Sequence, residues 1–532
     1  MQSFLIRGAM VMDGSGGPPF RANVAIEEDR IQSVGPEVRG SADQAIEAGG
    51  LILAPGFIDI HSHTDGTIFK HPRSESKILQ GVTTEVIGNC GIGYFPVNPQ
   101  RRELLVGYVK MLDFHLPPEG VDWTDFAGYA RRLEKLNLGV NLAPLVAHGS
   151  LRIDVMGADE RAPSDGELGE METLLAKLLQ QGAWGMSTGL IYPPGSFAKT
   201  EELMALGKVL ARYGALYTSH IRGESGTLMQ ALDEAIRIGR EGGPRVQISH
   251  LKALGKDFWG QGKEILAKLD EARREGVDIM ADQYPYEATS TSLTAMVPPW
   301  AHAGGVAELL KRLAAPELRQ RLLQEIGQAM NTRGGPERVL IASLGSSGSA
   351  RLSGKTISQI AALWNCPPEE AVIRLLLQEK ATAMAVYFSL STKDVETIMA
   401  SEQVAVGSDG QGMNAEEDAA ETTHPRSYGT FARVLGQFVR QQEVLSLPAA
   451  VYKMTGLPAA RLGFRERGLL KPGTVADLVL FDPAKVQDRA DFQNPHQYPT
   501  GIVHVWVNGV LAVKDGRLTG NAPGRVLRKT PS

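Results

Sequence analysis

Short apolar runs that end in a polar residue recur along the middle of this chain. Six of them have the length of buried strands: Phe57 to His63, Val82 to Cys90, Ala215 to His220, Val246 to His250, Val277 to Asp282 and Val404 to Asp409. His61 and Cys90 are 29 residues apart, His220 and His250 are 30 apart, and His250 and Asp282 are 32 apart. A strand, its crossover helix and two loops need about thirty residues. The spacing therefore predicts parallel strands with functional groups at the same ends.

Amphipathic patterns between these runs predict the crossover helices, at residues 164–181, 200–213, 227–241 and 262–276. Two further runs, 141–148 and 183–190, bring the number of candidate strands to eight. We therefore predict an α/β fold, a TIM-like (β/α)8 barrel whose active site lies at the carboxyl ends of its strands. Other assignments stay open, because residues 338–342 and 383–387 also have strand character. We expect an insertion near 283–403.

Both ends of the chain are rich in short strands separated by turns. In the C-terminal part, Asn508-Gly509 lies between alternating apolar residues and predicts a tight hairpin. Neither end has enough apolar surface to fold alone. We therefore predict that residues 1–54 and 468–532 together form one small β-sandwich domain, and that residues 55–467 form the barrel.

Composition excludes several classes of protein. The 532 residues include 55 Lys and Arg against 60 Asp and Glu, a net charge of -5, so nucleic acid is not an expected partner. Two cysteines, Cys90 and Cys366, cannot build a disulfide framework, and no apolar stretch reaches the roughly 20 residues of a membrane span. With no signal-peptide core at the N-terminus, we expect a cytoplasmic protein that acts on a small molecule. The oligomeric state stays open.

The polar strand ends have the composition of a metal site. His61 and His63 flank one residue, so strand alternation points both imidazoles to one side. Cys90, His220 and His250 supply three further ligands of the kinds that zinc prefers, and leave a fourth position for water. Taken singly, a buried apolar cysteine or a hydrogen-bonded structural histidine is the ordinary interpretation. Their joint position at strand ends favours the metal site.

Asp409 ends the last candidate strand, in Gly407-Ser408-Asp409-Gly410. There its carboxylate could accept the proton of a metal-activated water and deliver it to a leaving amine. An Asp-Gly pair is also an ordinary turn. The apolar run before Asp409 favours the strand-end carboxylate.

Together these motifs resemble the D-aminoacylase (N-acyl-D-amino-acid deacylase) family of the amidohydrolase superfamily. The similar segments are Pro55 to His63, Gly81 to Thr84, Gly88 to Gly91, Ser219-His220, Ile248 to Lys252, Asp282 to Tyr286, Ser408 to Gly410 and His424 to Arg426. The resemblance implies that Cys90, His220 and His250 hold one tightly bound zinc, and that His61 and His63 form a weaker or vacant second site. It also implies hydrolysis of N-acyl-D-amino acids to a carboxylate and a free D-amino acid.

An N-acyl amino acid carries an α-carboxylate, which Arg426 can grip with a bidentate fork while Lys252 and Tyr286 add charge and a hydroxyl. The resemblance adds Ser292 to this clamp. Residues 293–300 are apolar and contain no basic group, so a pocket that they line favours hydrophobic D-amino acids. Residues 411–428 join Asp409 to Arg426 and are either a lid or a plain surface loop.

Other functions stay open. An N-acyl-D-Glu or N-acyl-D-Asp deacylase would use the same metal site. A cyclic-amide hydrolase similar to hydantoinases or dihydroorotases shares the His-x-His strand, but it normally needs a lysine on the fourth strand, and residues 183–190 contain none. A non-catalytic assembly protein with this fold would lack some ligands, whereas this chain has the full set.

Overall fold

The computed structural model describes residues 3–38, 42–112, 114–344, 351–419 and 422–530. Five short strands come first along the chain: β1 (Phe4–Val11), β2 (Phe20–Glu27), β3 (Arg30–Gly35), β4 (Gln44–Glu47) and β5 (Ile52–Pro55). In β2 the buried residues are Ala22, Val24 and Ile26, and their neighbours are partly or fully exposed. This alternation is that of a strand with one face on a core.

The next segment alternates strands with helices. Its strands are β6 (Phe57–Asp59), β7 (Val82–Ile87), β8 (Asn141–Pro144), β9 (Val146–Ala147), β10 (Gly185–Gly189), β11 (Leu216–His220), β12 (Arg245–Ile248) and β13 (Ile279–Gln283). Its helices are α1 (Glu75–Ile78), α2 (Arg102–Met111), α3 (Phe126–Leu133), α4 (His148–Met156), α5 (Asp165–Gln180), α6 (Thr200–Arg212), α7 (Leu228–Arg237) and α8 (Gly262–Arg274). The four amphipathic helices predicted from the sequence are α5 to α8. The predicted mixed α/β content is therefore confirmed.

Residues 284–403 form a separate group of elements. They are β14 (Thr289–Ser292), α9 (Val306–Ala314), α10 (Arg319–Thr332), β15 (Val339–Ile341), α11 (Ile357–Leu363), α12 (Pro368–Gln378), β16 (Met384–Tyr387) and α13 (Thr392–Ala400). The strands pair antiparallel in the order β14, β16, β15. The two additional extended runs of this region are thus strands of their own small sheet.

The remaining elements return to the first sheet. They are β17 (Val404–Val406), α14 (Arg426–Arg433), α15 (Leu447–Met454), α16 (Gly456–Leu462), β18 (Leu478–Phe481), β19 (Ile502–Val507), β20 (Val510–Lys514) and β21 (Arg517–Leu518). β18 pairs antiparallel with β5, so both chain ends share one nine-stranded sheet. Asn508 and Gly509 join β19 to β20 with φ of 50° and 77°, which confirms the predicted hairpin.

The parallel strands pair mostly with their neighbours in chain order. β6 pairs with β7 and β7 with β8; β9, separated from β8 only by Leu145, begins the series β9, β10, β11, β12, β13 and β17. Two backbone hydrogen bonds join the segments that follow β6 and β17. The Asp409 amide donates to the His61 carbonyl at 2.7 Å, and the His63 amide donates to the Gly410 carbonyl at 2.9 Å. Of the candidate site residues, His61, His63 and Asp409 lie at this junction.

Burial in these strands is nearly continuous. All residues of β7, β8, β10 and β11 are buried, as expected of parallel strands that are covered on both faces. Among the described residues, the helices do not include one whose length and hydropathy would let it cross a membrane.

A buried polar contact joins the end sheet to β8. Asp477 accepts hydrogen bonds from the Asn508 amide at 2.7 Å and from Asn141 Nδ2 at 3.2 Å, and it forms an ion pair with Arg467. The side chains of Asp477 and Arg467 are only 4% and 11% exposed. Asn508 Nδ2 also donates to Asn141 Oδ1 at 2.8 Å. These bonds fix the end sheet against the parallel strands.

We expect Asp477→Ala to lower the free energy of unfolding by about 3–5 kcal/mol, because it leaves the Arg467 charge buried without its partner. Glu47→Ala is the matched control: its partner Arg7 is at 3.1 Å, but both side chains are largely exposed, and such pairs contribute about 1 kcal/mol or less. Denaturant unfolding of both variants measures the difference. Equal losses of stability would contradict the structural role of Asp477.

Candidate metal centre

The structure brings all five predicted metal ligands and Asp409 together at the carboxyl ends of the parallel strands. The ligand atoms form two groups, each within 4.8 Å: Cys90, His220 and His250 in one, and His61, His63, Cys90 and Asp409 in the other. Cys90 belongs to both. The arrangement therefore offers two neighbouring positions for a metal ion.

The first group has the geometry of a zinc site. Cys90 Sγ lies 3.4 Å from His250 Nε2. A tetrahedral zinc, with bonds of about 2.3 Å to sulfur and about 2.0–2.1 Å to nitrogen, separates two such atoms by about 3.5 Å. Neither ring nitrogen of the buried His220 makes a hydrogen bond within the described residues, and Glu224 Oε1 is 3.6 Å from its Nε2. A metal ion would satisfy this imidazole.

The second group places a carboxylate between two imidazoles. Asp409 Oδ1 lies 3.3 Å from His61 Nε2 and 3.1 Å from His63 Nε2. Cys90 Sγ is 3.4 Å from the same nitrogen of His61. The residues present thus fit a divalent metal at this position as well.

Two carboxylates that the sequence analysis gave no role orient the ligands. Asp282 Oδ1 lies 2.9 Å from His61 Nδ1 and accepts the amide of His250 at 2.7 Å. Glu224 Oε1 lies 3.3 Å from His250 Nδ1. The contact with Asp282 fixes the tautomer of His61 and leaves its Nε2 for the metal. Glu224 lies four residues after His220, and this closeness in sequence to a predicted ligand could have identified it as a supporting carboxylate.

The electrostatics of the centre favour ionised ligands. Burial opposes ionisation of the Cys90 thiol, but the imidazoles of His61 and His250 outweigh it and hold the pKa of Cys90 well below its usual value. Burial likewise opposes ionisation of Asp409, and the guanidinium of Arg426 outweighs it, so the pKa of Asp409 is also well below its usual value. A thiolate and a carboxylate are the forms that bind metals.

Three of the site residues have a left-handed backbone. The φ angles are 55° at Cys90, 38° at His250 and 52° at Asp409. For residues with a side chain this conformation costs about 1–3 kcal/mol and persists only where the surroundings impose it. Next to Cys90, a Cβ on Gly91 would lie 2.6 Å from the Gly189 amide, so only glycine fits there. The chain thus holds three functional groups in strained positions.

Arg426 and Lys252, two of the four predicted substrate-binding residues, line the cavity above the metal ligands. Both already contact carboxylates. Arg426 Nη1 donates to Asp409 Oδ2 at 2.6 Å and Nη2 donates to the Ser290 carbonyl at 3.1 Å. Lys252 is paired with Glu224 and lies 2.7 Å from His250 Nδ1. Lys252 therefore also contacts a metal ligand.

Tyr286 and Ser292 are not among the described residues that line this cavity. The Tyr286 hydroxyl is 3.5 Å from the Pro425 carbonyl, and Ser292 Oγ is 2.8 Å from Thr294 Oγ1. Tyr284 and Ser290, two residues earlier in each case, line the cavity instead. For the tyrosines the reason is that β13 ends at Gln283, so the following loop, and not strand alternation, directs their side chains. The guanidinium of Arg426 lies 4.9 Å from the Tyr284 ring.

The apolar segment 293–300 does not reach this cavity either. Thr294, Ala295, Val297 and Pro299 line an adjoining cavity. A basic residue that the sequence analysis did not consider, Arg333, lines both. Arg333 donates to the carbonyls of Ala295 at 3.2 Å and Ala329 at 3.0 Å. No carboxylate pairs with it among the described residues.

The segment predicted as a lid or loop is docked against the chain that follows β6. Asp418 Oδ1 lies 2.5 Å from Lys70 Nζ and 2.9 Å from His71 Nε2. The Met413 amide donates to Ser76 Oγ at 3.0 Å. Residues 420 and 421 of this segment lie outside the described residues. Movement of the segment stays a prediction.

Known proteins are similar to this chain over nearly its whole length. A family model described as "Amidohydrolase family" matches residues 44–513. In Alcaligenes xylosoxydans xylosoxydans, an N-acyl-D-aspartate deacylase is 39% identical over 98% of this chain and 94% of its own length, and a D-aminoacylase is 35% identical over 99% and 97%. The crystal structure of an N-acyl-D-glutamate deacylase from Bordetella bronchiseptica, complexed with zinc and a phosphonate mimic of the tetrahedral intermediate, has a TM-score of 0.81 at 35% identity over 99% of both chains. These matches confirm the resemblance seen in the motifs: the chain belongs to the amidohydrolase family.

Proposed function

We propose that this protein is a zinc-dependent hydrolase that converts N-acyl-D-amino acids to a carboxylate and a free D-amino acid. The observation that carries the proposal is the convergence of Cys90, His220 and His250 beside Asp409. We also interpret the parallel strands as a (β/α)8 barrel and the shared end sheet as a sandwich-like domain of residues 1–54 and 468–532. We propose the D configuration for the substrate because similar proteins are named as deacylases of D-amino acids.

The first group of ligands, Cys90, His220 and His250, is the proposed tight zinc site. The second, with His61 and His63, is the proposed weaker or vacant site. Zinc bound here supplies a Lewis acid for the acyl carbonyl and a water whose pKa falls toward about 7. Residues 183–190 contain no lysine to bridge two metals. Cys90, which belongs to both ligand groups, would hold the metal without such a lysine, and the missing lysine disfavours the cyclic-amide hydrolase alternative.

Asp409 is the proposed general base and acid. Its carboxylate accepts the proton of the attacking water and then donates it to the departing nitrogen, which leaves as the amine of the D-amino acid. Arg426 has five N–H groups, and two of them contact Asp409 and Ser290. The others are available for the α-carboxylate of the substrate. Lys252, Tyr284 and Ser290 complete the proposed clamp, in which Tyr284 and Ser290 replace Tyr286 and Ser292.

Asp409→Asn should keep the zinc and lower turnover by about 10²–10⁴-fold, because the amide has no basic oxygen for the proton. Cys90→Ala should lose both zinc and turnover. The control is Cys366→Ala, which removes the other cysteine and should change neither. Zinc content by atomic absorption and release of free amine from N-acetyl-D-leucine measure the two properties. Asp409→Asn with more than about a tenth of wild-type turnover would rule out the proposed role.

The preferred substrate side chain has two candidates. Hydrophobic side chains are the first, because Ile92, Phe114, Ile191 and Leu254 line the cavity. Acidic side chains are the second. Arg333 faces the cavity without a carboxylate partner among the described residues, and a bound carboxylate would provide one.

If the second candidate is right, the wild-type protein should hydrolyse N-acetyl-D-Glu or D-Asp faster than N-acetyl-D-Leu. Arg333→Met should then lower kcat/KM for the acidic substrates by about 10- to 100-fold, the effect of losing a hydrogen bond to a charged group, and leave D-Leu unchanged. Arg338→Met is the control, since Arg338 is exposed and outside the lining. A wild-type preference for D-Leu that is unchanged in Arg333→Met would favour the hydrophobic candidate.

A further inference from the structure

A lysine is completely buried behind the metal ligands. Lys77, in the short helix α1, has a side chain that is 0% exposed. Its amine donates to Ser408 Oγ at 2.6 Å, to Asp59 Oδ2 at 2.8 Å and to the Gly410 carbonyl at 3.2 Å, and it lies 3.4 Å from Glu85 Oε1. Buried lysines are rare unless they are paired. Here the partners belong to β6, β7 and the segment after β17, so one charge joins three parts of the site.

Asp59 makes the central connection. Its Oδ1 accepts the amides of Ser408 at 2.8 Å and His61 at 3.3 Å, and its Oδ2 accepts Ser408 Oγ at 2.5 Å as well as the Lys77 amine. Asp59 is the last residue of β6, two positions before His61. The carboxylate therefore ties the strand that carries the histidines to the segment that carries Asp409.

Asp409 needs such support because its backbone is strained. With φ of 52°, it lies between Ser408 and Gly410, and both of these neighbours contact Lys77. The Gly410 amide donates to Ser408 Oγ at 3.0 Å. A residue with a side chain keeps a left-handed conformation only where its surroundings impose it. The bonds of Lys77 and Asp59 to Ser408 and Gly410 are such a constraint.

The contacts around Lys77 also extend to the segment that carries His63. Glu85 Oε1 accepts Ser62 Oγ at 2.6 Å and Thr64 Oγ1 at 2.6 Å, and these two residues flank His63. Glu85 is fully buried beside the Lys77 amine. The positive charge of Lys77 thus lies between two carboxylates, each of which holds one side of the second metal position.

We propose that Lys77 is a positioning residue, which through Asp59 and Ser408 fixes the Asp409 carboxylate against His61 and His63. Lys77 is absent from the residues that line the cavity, among those the structure describes, so it acts through Asp409 and not on the substrate. The proposal rests on the proposed catalytic role of Asp409. Displacement of a reacting group by about 1 Å can cost about 100-fold in rate.

Lys77→Met should therefore lower kcat by about 100-fold and leave KM and the zinc of the first site unchanged. Lys77→Arg, which keeps the charge, should recover part of the loss. The matched control is Lys453→Met. Lys453 is also a buried lysine, but it donates to the Ser401 carbonyl, before β17 and away from the carboxyl ends. The Lys453→Met variant should keep the wild-type kcat.

Lys77→Met could misfold, because it leaves two buried carboxylates without their partner. Ser408→Ala tests the same contacts without that risk, because it removes hydrogen bonds to Lys77 and Asp59 and leaves their charges paired. It should lower kcat with the fold and the first zinc intact. The proposal is overturned if Ser408→Ala and every folded Lys77 variant keep wild-type kcat, or if kcat falls only in proportion to zinc content or folded protein.

Titration with cobalt(II) gives a readout that does not need activity. Loss of a residue that orients metal ligands typically weakens metal binding by about 10- to 100-fold. Ser408→Ala and Lys77→Met should weaken the second, weaker binding event and leave the first unchanged. If the wild-type protein hydrolyses no N-acyl-D-amino acid, the proposed function fails while this titration still tests the positioning role. Unchanged cobalt binding in both variants would overturn it.

Discussion

The Cys90 thiolate is the group on which the rest of this site depends. His61 and His250 approach its sulfur to 3.4 Å from opposite clusters, and the ring centroids of His250 lie 4.9 Å from His61 and 4.3 Å from His220. Three imidazoles this close cannot all be protonated without strong mutual repulsion. A metal cation beside the thiolate would supply the positive charge that the imidazolium rings otherwise supply, and would let the rings bind as neutral ligands without that repulsion. The packing of the histidines and the ionisation of the cysteine therefore both favour a metal ion.

The convergence of these ligands could be predicted because the length of a βα unit determines where strand ends recur. Cys90, His220 and His250 lie about one or several such units apart, and a parallel sheet brings them to one edge. Their supporting carboxylates could not be predicted in the same way. Asp282 also lies near the carboxyl end of its strand, β13, yet it accepts hydrogen bonds from other ligands, and Glu224 acts from a loop. A metal ligand and a carboxylate that orients it can have the same spacing along the chain, and only the direction of their side chains distinguishes them.

The substrate clamp marks a second limit of sequence reasoning. Tyr284 and Tyr286 have the same parity, so strand alternation does not choose between them. The chain leaves β13 after Gln283, and loop geometry then directs Tyr284 to the cavity and Tyr286 toward Pro425. The end sheet was more predictable, since an Asn-Gly turn and alternating burial are local signals. Which strands pair across the two chain ends depends on tertiary packing.

The junction of β6 and β17 explains why the fold buries several charges so close together. Each of these strands has only three residues, and among the described residues a single bridge, Ser62 to Gly410, links the segments that follow them. A short ladder leaves the relative position of two strands weakly specified by backbone bonds alone. Buried ion pairs rarely add net stability, but their strict geometry can fix one arrangement. At this junction Asp59 and Lys77 do so through side chains, and the same junction carries the histidines and Asp409, where an error in position would disturb the chemistry most.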